Sequence, residues 1–565
     1  MKRITVNQIV CLLSVIFLFG CSPKQDVTEV QLAKPSPQQY VWHEQERIMF
    51  IHFGMATWQG REYDNFSTDL SRVNPYKLNT DEWCEVALSF GAKQIVFVAK
   101  HVGGFCWWPT ETTDYDVRHI PWKEGKGDLV ADVSASCKKY GLKLGLYLYP
   151  GDDKWGAGLG SGGRTSDPSK QEAFNKIYRQ QLTELLTNYG IITEVWFDGN
   201  CVIDVKDILE KYAKDAVIFQ SPQASIRWVG NEDGYAPYPA WNGVKSTDLQ
   251  SGVATAVQGD PDGDAWAPLE CDVPLYKHNW FWSPANEAKR RSLGELMKIY
   301  YRSAGRGAVM LLNATPDTLG VIPAGDVARF AELGAEIDRR FSSPLKSVSD
   351  IKGNEVIIAF DTPTTINHIV TMEDYRQGER IRAYQLEGWV KDHWVPIYAG
   401  SSVGRKKIDF FDDITLSKIR LNITKSAAEP LIRSFAAYHI SNTPELFEKD
   451  EKPLSHWKYL NGWMPDMFHQ GLLDININLT PYIPVPGQYE IKINPGKQDL
   501  ISVSHAELVY DGERALDEFV TIKDSMVLIN RTAQVTNETS ILIKLTLSAR
   551  DSVKESGSIF FRKIP

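Results

Sequence analysis

The sequence contains few cysteines, and their positions predict neither disulfide bonds nor a zinc site. Seven occur among 565 residues, and no two follow the Cys-x-x-Cys spacing. Two lie near the N-terminus, and the five others are widely separated: Cys84, Cys106, Cys137, Cys201 and Cys271. Disulfide frameworks and zinc sites need paired or clustered thiols. An odd number of scattered cysteines is therefore interpreted as a set of small buried side chains.

An excess of positive charge is also absent. The formal net charge is −9, and no stripe of Lys and Arg occurs. Nucleic acid is therefore not an expected partner, because its binding needs a basic surface. The apolar share of 43% and the charged share of 24% are those of an ordinary globular protein. A chain of this length is expected to contain two to four domains.

Only one apolar segment resembles a membrane-directed sequence, and it lies at the N-terminus. Lys2 and Arg3 precede an apolar run over residues 9–19, which is too short for a mature membrane helix. Gly20 and Cys21 end it as in a bacterial lipoprotein signal, in which Cys21 is acylated. Residues 1–21 are therefore predicted to be a lipoprotein signal peptide, followed by a tether over residues 22–40. The alternative is a plain secretory signal with a chance cysteine.

This N-terminus predicts where the protein is found. We expect an exported protein that is lipid-anchored to a bacterial membrane, either in the periplasm or at the cell surface. No later run is long and apolar enough to cross a bilayer. The lipid anchor is therefore the only membrane contact that the sequence predicts.

Residues 41–341 alternate apolar strands with amphipathic helices. In three places a helix ends on an aromatic residue and glycine just before a strand: Phe90-Gly91, Tyr140-Gly141 and Tyr189-Gly190. Glycine suits the left-handed position after a helix, and unbroken apolar strands are typical of buried parallel sheets. Repeated βα units over this length predict an irregular (β/α)8 TIM-like barrel rather than a doubly wound sheet.

The pattern changes after the barrel, because no long helical segment follows. Residues 345–442 show short alternating strands, which are typical of a β-sandwich and resemble a galactose-binding-like module. Residues 443–565 are predicted to form a second β-rich domain. The chain is thus expected to be multidomain, with a barrel followed by C-terminal β-sandwich domains.

Polar and aromatic residues stand at the ends of the predicted barrel strands. Side chains at the carboxyl ends of TIM-barrel strands line the active site. Two predicted strands end in acids, Asp198 and Glu270, and other ends supply His52, His101, Tyr147, Tyr149, Trp196 and Gln220. Two carboxylates among aromatics suit glycoside cleavage, since one attacks the anomeric carbon and the other protonates the leaving oxygen.

Each of these residues alone has a simpler interpretation. An acid at a strand end caps helices or pairs with arginine, and histidines or Trp196 often belong to the core. It is their joint occurrence at successive strand ends that favours a sugar-processing barrel.

Residues 40–440 resemble glycoside hydrolase family 29, the α-L-fucosidases. Four segments carry the resemblance: Phe50-Ile51-His52-Phe53-Gly54, Ala99-Lys100-His101 with Gly104-Phe105, Trp196-Phe197-Asp198-Gly199, and Leu311-Leu312-Asn313-Ala314 with Pro316. Two more resemble the subfamily selective for α-1,3/4-linked fucose: Ile226-Arg227-Trp228-Val229-Gly230-Asn231-Glu232, and Trp266 to Asp272 with Trp280-Phe281.

The resemblance implies a retaining, exo-acting enzyme that needs no metal and no cofactor. It implies Asp198 as the nucleophile, Glu270 as the acid/base and Arg227 as a group beside the nucleophile. Further residues are expected to bind a fucosylated oligosaccharide or glycoconjugate: His52 and His101 at sugar hydroxyls, Trp196 and Trp280 as apolar walls, and Glu62 and Tyr149 elsewhere in the substrate site. Fucose has a 6-methyl group, which an apolar wall would select.

Three positions depart from the family pattern. Val102 and Gly103 replace the second His and the Asp of Lys-His-His-Asp-Gly-Phe, and Ser225 stands where the subfamily often has Asp. These changes leave the sugar and its linkage open. One alternative is a related retaining glycosidase for another α-L-sugar, such as α-L-galactose. The other is a catalytically inactive glycan-binding lipoprotein at the cell surface.

Overall fold

A computed structural model shows the architecture of most of the chain. It describes residues 31–249, 257–447, 458–463, 468, 470–479, 487–494, 501–510, 513–514, 520–523, 526–531, 541–549 and 557–563. The predicted signal peptide, Cys21 and residues 22–30 of the tether lie outside the described residues. From Leu32 onward the chain forms one compact unit. Within the ranges given, no helix has both the length and the apolar character that crossing a membrane requires.

Eight parallel strands form the barrel. Numbered along the chain, they are β1 Arg47–Ile51, β2 Gln94–Lys100, β3 Lys143–Leu148, β4 Ile192–Trp196, β5 Val217–Phe219, β6 Arg227–Trp228, β7 Leu269–Pro274 and β8 Val309–Ala314. Their order in the sheet is β5-β4-β3-β2-β1-β8-β7-β6. A parallel bridge between Phe219 and Ile226 links the two outer strands, so the sheet is nearly closed. The predicted TIM-like barrel is confirmed.

Helices surround this sheet and cover the outward faces of its strands. Those of the barrel region are Pro37–His43, Met55–Gln59, Thr80–Ser89, Leu129–Tyr140, Gln171–Asn188, Lys206–Tyr212, Pro284–Glu287, Leu293–Arg302 and Ala324–Phe341. A small antiparallel hairpin, Gly243–Val244 with Ala265–Trp266, lies in the long connection between β6 and β7. The main apolar core lies between the helices and the sheet, as in other α/β barrels.

The strands of residues 346–438 form one six-stranded antiparallel sheet, called here the first β domain. Its strands lie in the order Lys346–Lys352, Leu431–Tyr438, Glu355–Glu373, Lys407–Ser426, Ile381–Val390 and His393–Gly400. The sequence predicted several short strands, but two of the real strands have 19 and 20 residues. β-Bulges interrupt their pairing, as expected where a long strand bends.

Buried polar contacts join the first β domain to the barrel. Arg405 and Lys406 bind Glu46, which directly precedes β1. Glu379 accepts hydrogen bonds from both the backbone and the side chain of Asn242, in the connection after β6. The first β domain is thus tied both to the start of β1 and to the connection after β6.

A second β domain ends the chain. One sheet contains Lys458–Trp463, Gly557–Lys563, Gly487–Asn494, Met526–Arg531 and Val520–Lys523, and the other contains Leu472–Asn478, Ile541–Ala549, Ile501–Tyr510 and Glu513–Arg514. Alternate residues of both sheets form a separate apolar core, as strand periodicity requires. A four-residue helix, Pro444–Phe447, precedes this domain.

Candidate active site

The carboxyl ends of β1 to β4 hold a cluster of aromatic rings. Tyr147 lies against both Trp196 and His101, with ring centroids 5.3 Å and 5.7 Å apart. Phe281 meets the edge of His101 at 5.2 Å. The cluster gives this end of the barrel, called here the pocket, apolar walls on which a few polar groups converge, which is typical of small-ligand sites.

Asp198 lies two residues beyond the end of β4, at this pocket. The Tyr147 hydroxyl donates a hydrogen bond of 2.9 Å to its Oδ2 atom. Burial raises the pKa of Asp198 to about 6, and the hydrogen bond from Tyr147 opposes that shift. Asp198 is therefore mostly ionised at neutral pH and only partly solvated, as an attacking carboxylate should be.

Both predicted histidines lie in the same pocket and are neutral. The His52 Nδ1–H donates to Asn313 Oδ1 over 2.8 Å, which leaves Nε2 as an acceptor. Burial lowers the pKa of His101 to about 4. The pKa of His52 is lowered well below its usual value, mainly by burial and further by the charge of neighbouring His101. Neutral imidazoles suit hydrogen bonds to hydroxyl groups.

Glu62 and Trp280 are joined at the opposite wall of the pocket. The Glu62 carboxylate accepts hydrogen bonds from the Trp280 backbone N–H over 2.7 Å and from Asn279 over 2.9 Å. The Trp280 ring lies 5.0 Å from that of His52. These residues, and Trp196 and Tyr149 in the aromatic cluster, lie together as predicted, but their contacts with a substrate remain predictions.

Glu270 does not lie in the pocket, which corrects its predicted role as the acid/base. The sequence suggested a strand that ends at Glu270, whereas β7 begins at Leu269 and continues to Pro274. Glu270 is therefore near the amino end of its strand and has no exposed surface. Trp196 lies between it and the pocket and donates a hydrogen bond of 2.7 Å to its Oε1 atom. A general acid in that position has no access to a leaving group.

Glu270 instead pairs with Glu194 inside the barrel. Trp42, below the amino ends of the strands, donates to Glu194 Oε2 over 2.9 Å. The two glutamates hydrogen-bond to each other, and burial together with the charge of Glu194 raises the pKa of Glu270 well above its usual value. Burial also raises the pKa of Glu194. At least one of these carboxyl groups is therefore protonated at neutral pH.

The raised pKa values of Glu194 and Glu270 predict that the protein loses stability as the pH rises. Glu270→Gln should reduce that loss. Both folded-state pKa values exceed the unfolded values, so the stabilising effect is complete in acid and is lost as the pH rises. An amide at position 270 still accepts from Trp196 and donates to Glu194, without a proton to lose. Between pH 5 and pH 8, we expect the unfolding free energy of the wild type to fall further than that of Glu270→Gln, by about 1.4 kcal/mol or more.

Urea denaturation at the two pH values measures this difference. Exposed Glu210, on the helix Lys206–Tyr212, supplies the control variant Glu210→Gln, whose pH dependence should match the wild type. Parallel pH dependences of the wild type and Glu270→Gln would contradict the proton-sharing pair.

The contacts of Arg227 lie in the connection between β6 and β7, and its predicted role beside Asp198 stays a prediction. Its guanidinium donates to the backbone carbonyl groups of Ala267, Val257 and Trp241. Burial lowers the pKa of Arg227 to about 9. Arg227 therefore holds the connection between β6 and β7 in place.

Two carboxyl groups that the sequence interpretation left without a role lie near Asp198. Asp272 follows Glu270 by two residues, so it faces the barrel interior closer to the carboxyl end of β7. Burial raises its pKa well above the usual value, and the charges of Glu232 and Asp198 add to the shift. Exposed Glu232 lies in the turn after β6, where the Asn231 Oδ1 atom accepts hydrogen bonds from the backbone N–H groups of Asp233 and Tyr235.

The charges of the same carboxylates, Asp198 and Glu232, also act on Tyr63. Burial raises its pKa to about 12, with contributions from the charges of Asp198, Glu232 and Glu62. Its ring stacks on His101 with centroids 6.2 Å apart, and 48% of the residue is exposed. Tyr63 therefore lies at the mouth of the pocket, near both Asp198 and Glu232.

The structure also explains the glycine at position 103. A Cβ atom there would lie 2.5 Å from the Cβ of Asp64, so Asp64 occupies the space of a larger side chain. Tyr115 donates to the Asp64 carboxylate over 2.7 Å. Val102 is buried in the aromatic cluster with Tyr147 and Tyr149. Asp64, from another loop, thus places a carboxylate where the family pattern has the Asp of position 103. Val102 is apolar where that pattern has the second His.

The arrangement has the parts that a two-carboxylate hydrolytic reaction requires. Asp198 is ionised and partly buried, which suits attack on an electrophilic carbon. Glu232 is exposed at the mouth, where it can exchange protons with a leaving group and with water. The neutral histidines and the aromatic walls suit binding of a sugar ring.

Sequence comparison identifies relatives over most of the chain. The family model described as Alpha-L-fucosidase matches residues 29–339. Alpha-L-fucosidase 1 of Arabidopsis thaliana is 30% identical over 456 residues, which cover 72% of this chain and 88% of that protein. The Alpha-L-fucosidase of Dictyostelium discoideum is 22% identical over 387 residues, covering 59% of this chain and 76% of that protein.

Solved structures share the same architecture. A protein of Bacteroides thetaiotaomicron VPI-5482, provisionally named an alpha-L-fucosidase, is 33% identical with a TM-score of 0.68, covering 73% of this chain and 100% of that one. A glycoside hydrolase 29 family member from an unknown rumen bacterium has a TM-score of 0.66 at 24% identity and covers 95% of this chain and 100% of that one. The second similarity of fold includes the C-terminal strands.

Proposed function

This chain belongs to the α-L-fucosidase family and is a glycoside hydrolase, and we propose that it removes terminal L-fucose from glycans with retention of configuration. The observation that carries the proposal is Asp198, a half-buried carboxylate in the aromatic cluster that accepts a hydrogen bond from Tyr147, together with exposed Glu232 in the turn after β6. Retaining hydrolysis needs a nucleophile and a separate acid/base at such a site.

In the first step Asp198 attacks the anomeric carbon, and the bond to the leaving oxygen breaks. Glu232 gives its proton to that oxygen, so the aglycone leaves as a neutral alcohol. The product is a fucosyl ester on Asp198 with inverted configuration. In the second step Glu232 removes a proton from water, which attacks the anomeric carbon. Asp198 leaves as a carboxylate, and the second inversion restores the original configuration.

The pocket also suits the sugar. His52 and His101 present ring nitrogens, and Glu62 presents carboxylate oxygens, to the hydroxyl groups of a pyranose. Trp196, Trp280 and Phe281 offer apolar surface for a methyl group. A site that selects fucose over a hexose with a 6-hydroxyl needs such a surface without a donor.

The pH dependence of kcat/KM should report Asp198 directly. Because the nucleophile must be ionised, activity is expected to fall as the pH drops through about 6, the pKa of Asp198. Tyr147→Phe removes the donor that stabilises the carboxylate, so the acid limb should move to higher pH by about one unit. Tyr149→Phe is the matched control, because its hydroxyl accepts from Gly160 rather than donating to Asp198. An acid limb unchanged in Tyr147→Phe would contradict this assignment.

Two substrates test the function itself. We propose that fucose linked α-1,3 or α-1,4 in a branched glycan is preferred, because the segments over residues 226–232 and 266–272 resemble the subfamily with that selectivity. Release of fucose from a branched trisaccharide should then exceed release from 4-methylumbelliferyl α-L-fucoside. Similar rates on both would contradict the linkage preference alone. Hydrolysis of an aryl α-L-galactoside with none of either fucoside would contradict the choice of sugar.

We also propose that the protein is exported and anchored by a lipid on Cys21. The support is the sequence of the N-terminal segment, which carries basic residues, a short apolar run and Gly20 before Cys21. In a bacterial host, Cys21→Ser should abolish labelling by radioactive palmitate and move the protein from the membrane fraction to the soluble fraction. Cys11→Ser, within the apolar run, is the matched control and should leave both unchanged. Palmitate labelling of Cys21→Ser would contradict the anchor.

A further inference from the structure

Two residues of the second β domain face away from its own core and are nevertheless buried. Val509 and Leu542 are cross-strand partners, each with 4% of its surface exposed. The neighbours of Leu542 in sequence, Ile541 and Ile543, point into the core of the domain. Because side chains alternate along a strand, Leu542 must point outward. Some other part of the protein therefore covers this pair.

The cover is a residue of the catalytic barrel. Val257, in the connection between β6 and β7, forms one buried apolar cluster with Val509 and Leu542, and the indole of Trp228 packs against it. The backbone carbonyl of Val257 accepts a hydrogen bond of 3.2 Å from Arg227. Val257 is thus joined to β6 by its backbone and to the second β domain by its side chain.

Trp228 connects this cluster to Asp272, whose pKa responds to the charges of Asp198 and Glu232. Its indole N–H donates a hydrogen bond to Asp272 Oδ1. The charges of Glu232 and Asp198 both act on Asp272, which lies on the inward face of β7. A short series of contacts therefore connects the second β domain to the pocket. Leu542 packs in one cluster with Val257, Trp228 packs against that cluster, and Trp228 donates a hydrogen bond to Asp272.

We propose that Trp228 is a positioning residue for Asp272, and that Val509 and Leu542 of the second β domain hold Trp228 in place. This inference rests on the proposed function and deepens it, because it makes the C-terminal domain a working part of the active site. An apolar cover excludes water from the hydrogen bond between Trp228 and Asp272, which strengthens it. Small displacements of groups around a reacting centre have large effects on turnover.

Two leucine truncations on one strand test the proposal. Leu542→Ala removes the contact with the barrel, and Leu545→Ala removes a similar volume from the core of the domain. We expect Leu542→Ala to lower kcat for 4-methylumbelliferyl α-L-fucoside about tenfold with little change in KM. Leu545→Ala should lower the melting temperature but leave kcat of the folded protein within about twofold. Leu542→Met should restore most of the lost kcat, because it refills the contact.

Trp228→Phe tests the barrel side of the same series of contacts. It keeps a ring against Val257 but removes the donor to Asp272, so kcat should fall by a similar factor without a large change in melting temperature. Wild-type kcat in Trp228→Phe would overturn the proposal, even where Leu542→Ala fails to fold. Wild-type kcat in a folded Val509→Ala/Leu542→Ala double variant would also overturn it. A wild-type enzyme without fucosidase activity would instead contradict the proposed function.

Discussion

Asp198→Asn is expected to lower kcat/KM for aryl α-L-fucosides by at least about 10³-fold, because the amide cannot form the fucosyl ester. The substitution keeps the shape of the side chain and its contact with Tyr147, so the fold should be retained. Asp204→Asn, at an exposed position a few residues later, is the matched control and should keep wild-type activity. Initial rates and circular dichroism on the same samples measure both effects.

A chemical rescue separates loss of the nucleophile from general damage. In Asp198→Ala a cavity replaces the carboxylate, and azide can attack the anomeric carbon of a substrate with an activated leaving group. A single displacement gives β-L-fucosyl azide, with inverted configuration. Undiminished activity in Asp198→Asn, or no azide product from folded Asp198→Ala, would contradict Asp198 as the nucleophile.

Glu232→Ala is the second large effect, and its size should depend on the leaving group. General acid catalysis contributes about 10²- to 10⁴-fold, so we expect a loss of this order with a glycan, whose alkoxide is a poor leaving group. The loss should be much smaller with 2,4-dinitrophenyl α-L-fucoside, because its dinitrophenolate leaving group departs without a proton. Azide should accelerate the second step and give α-L-fucosyl azide, because it attacks the ester on Asp198.

Glu270→Gln is the matched control for Glu232, since both residues were in segments that resemble the family. Glu270 is buried behind Trp196 and paired with Glu194, so its amide variant should keep activity within a few-fold of the wild type. Comparable loss in Glu270→Gln, with the same dependence on the leaving group, would contradict Glu232 as the acid/base. It would restore the assignment that the sequence suggested.

The sequence was sufficient to predict the barrel and the position of Asp198. The strand Ile192–Trp196 is an apolar segment that ends sharply at Asp198-Gly199, so its carboxyl end was visible in the pattern. His52 and His101 follow strands of the same kind. Long buried strands with a clear end place their terminal residues at the mouth of a barrel, whatever the remainder of the chain does.

Glu270 was misplaced because the apolar pattern does not show where hydrogen bonding to the next strand begins. Residues 265–269 have the composition of a strand, but pairing with β6 starts only at Leu269 and pairing with β8 only at Glu270. The acid closer to the carboxyl end of β7 is Asp272, two residues further on the same face. Glu270 and Asp272 are separated by one residue and so lie on the same face of the strand. That spacing was the feature of the sequence that could have raised the question of which acid faces the pocket.

Arg227 and Leu542 illustrate what a single sequence cannot show. β6 has two residues, too few for a periodicity that reveals which side chain faces the pocket. Outward-facing Leu542 looks like one more apolar strand residue, and only the contact with Val257 distinguishes it. Such contacts join segments hundreds of residues apart, so they depend on the packing of whole domains.

The configuration of the first product tests the central claim most directly. Proton NMR of wild-type enzyme with 4-methylumbelliferyl α-L-fucoside distinguishes the two anomers of released fucose before they equilibrate by mutarotation. Double displacement through Asp198 and Glu232 predicts α-L-fucose as the first product, with the β-anomer appearing later. Initial appearance of β-L-fucose would show a single displacement by water and would contradict Asp198 as a nucleophile.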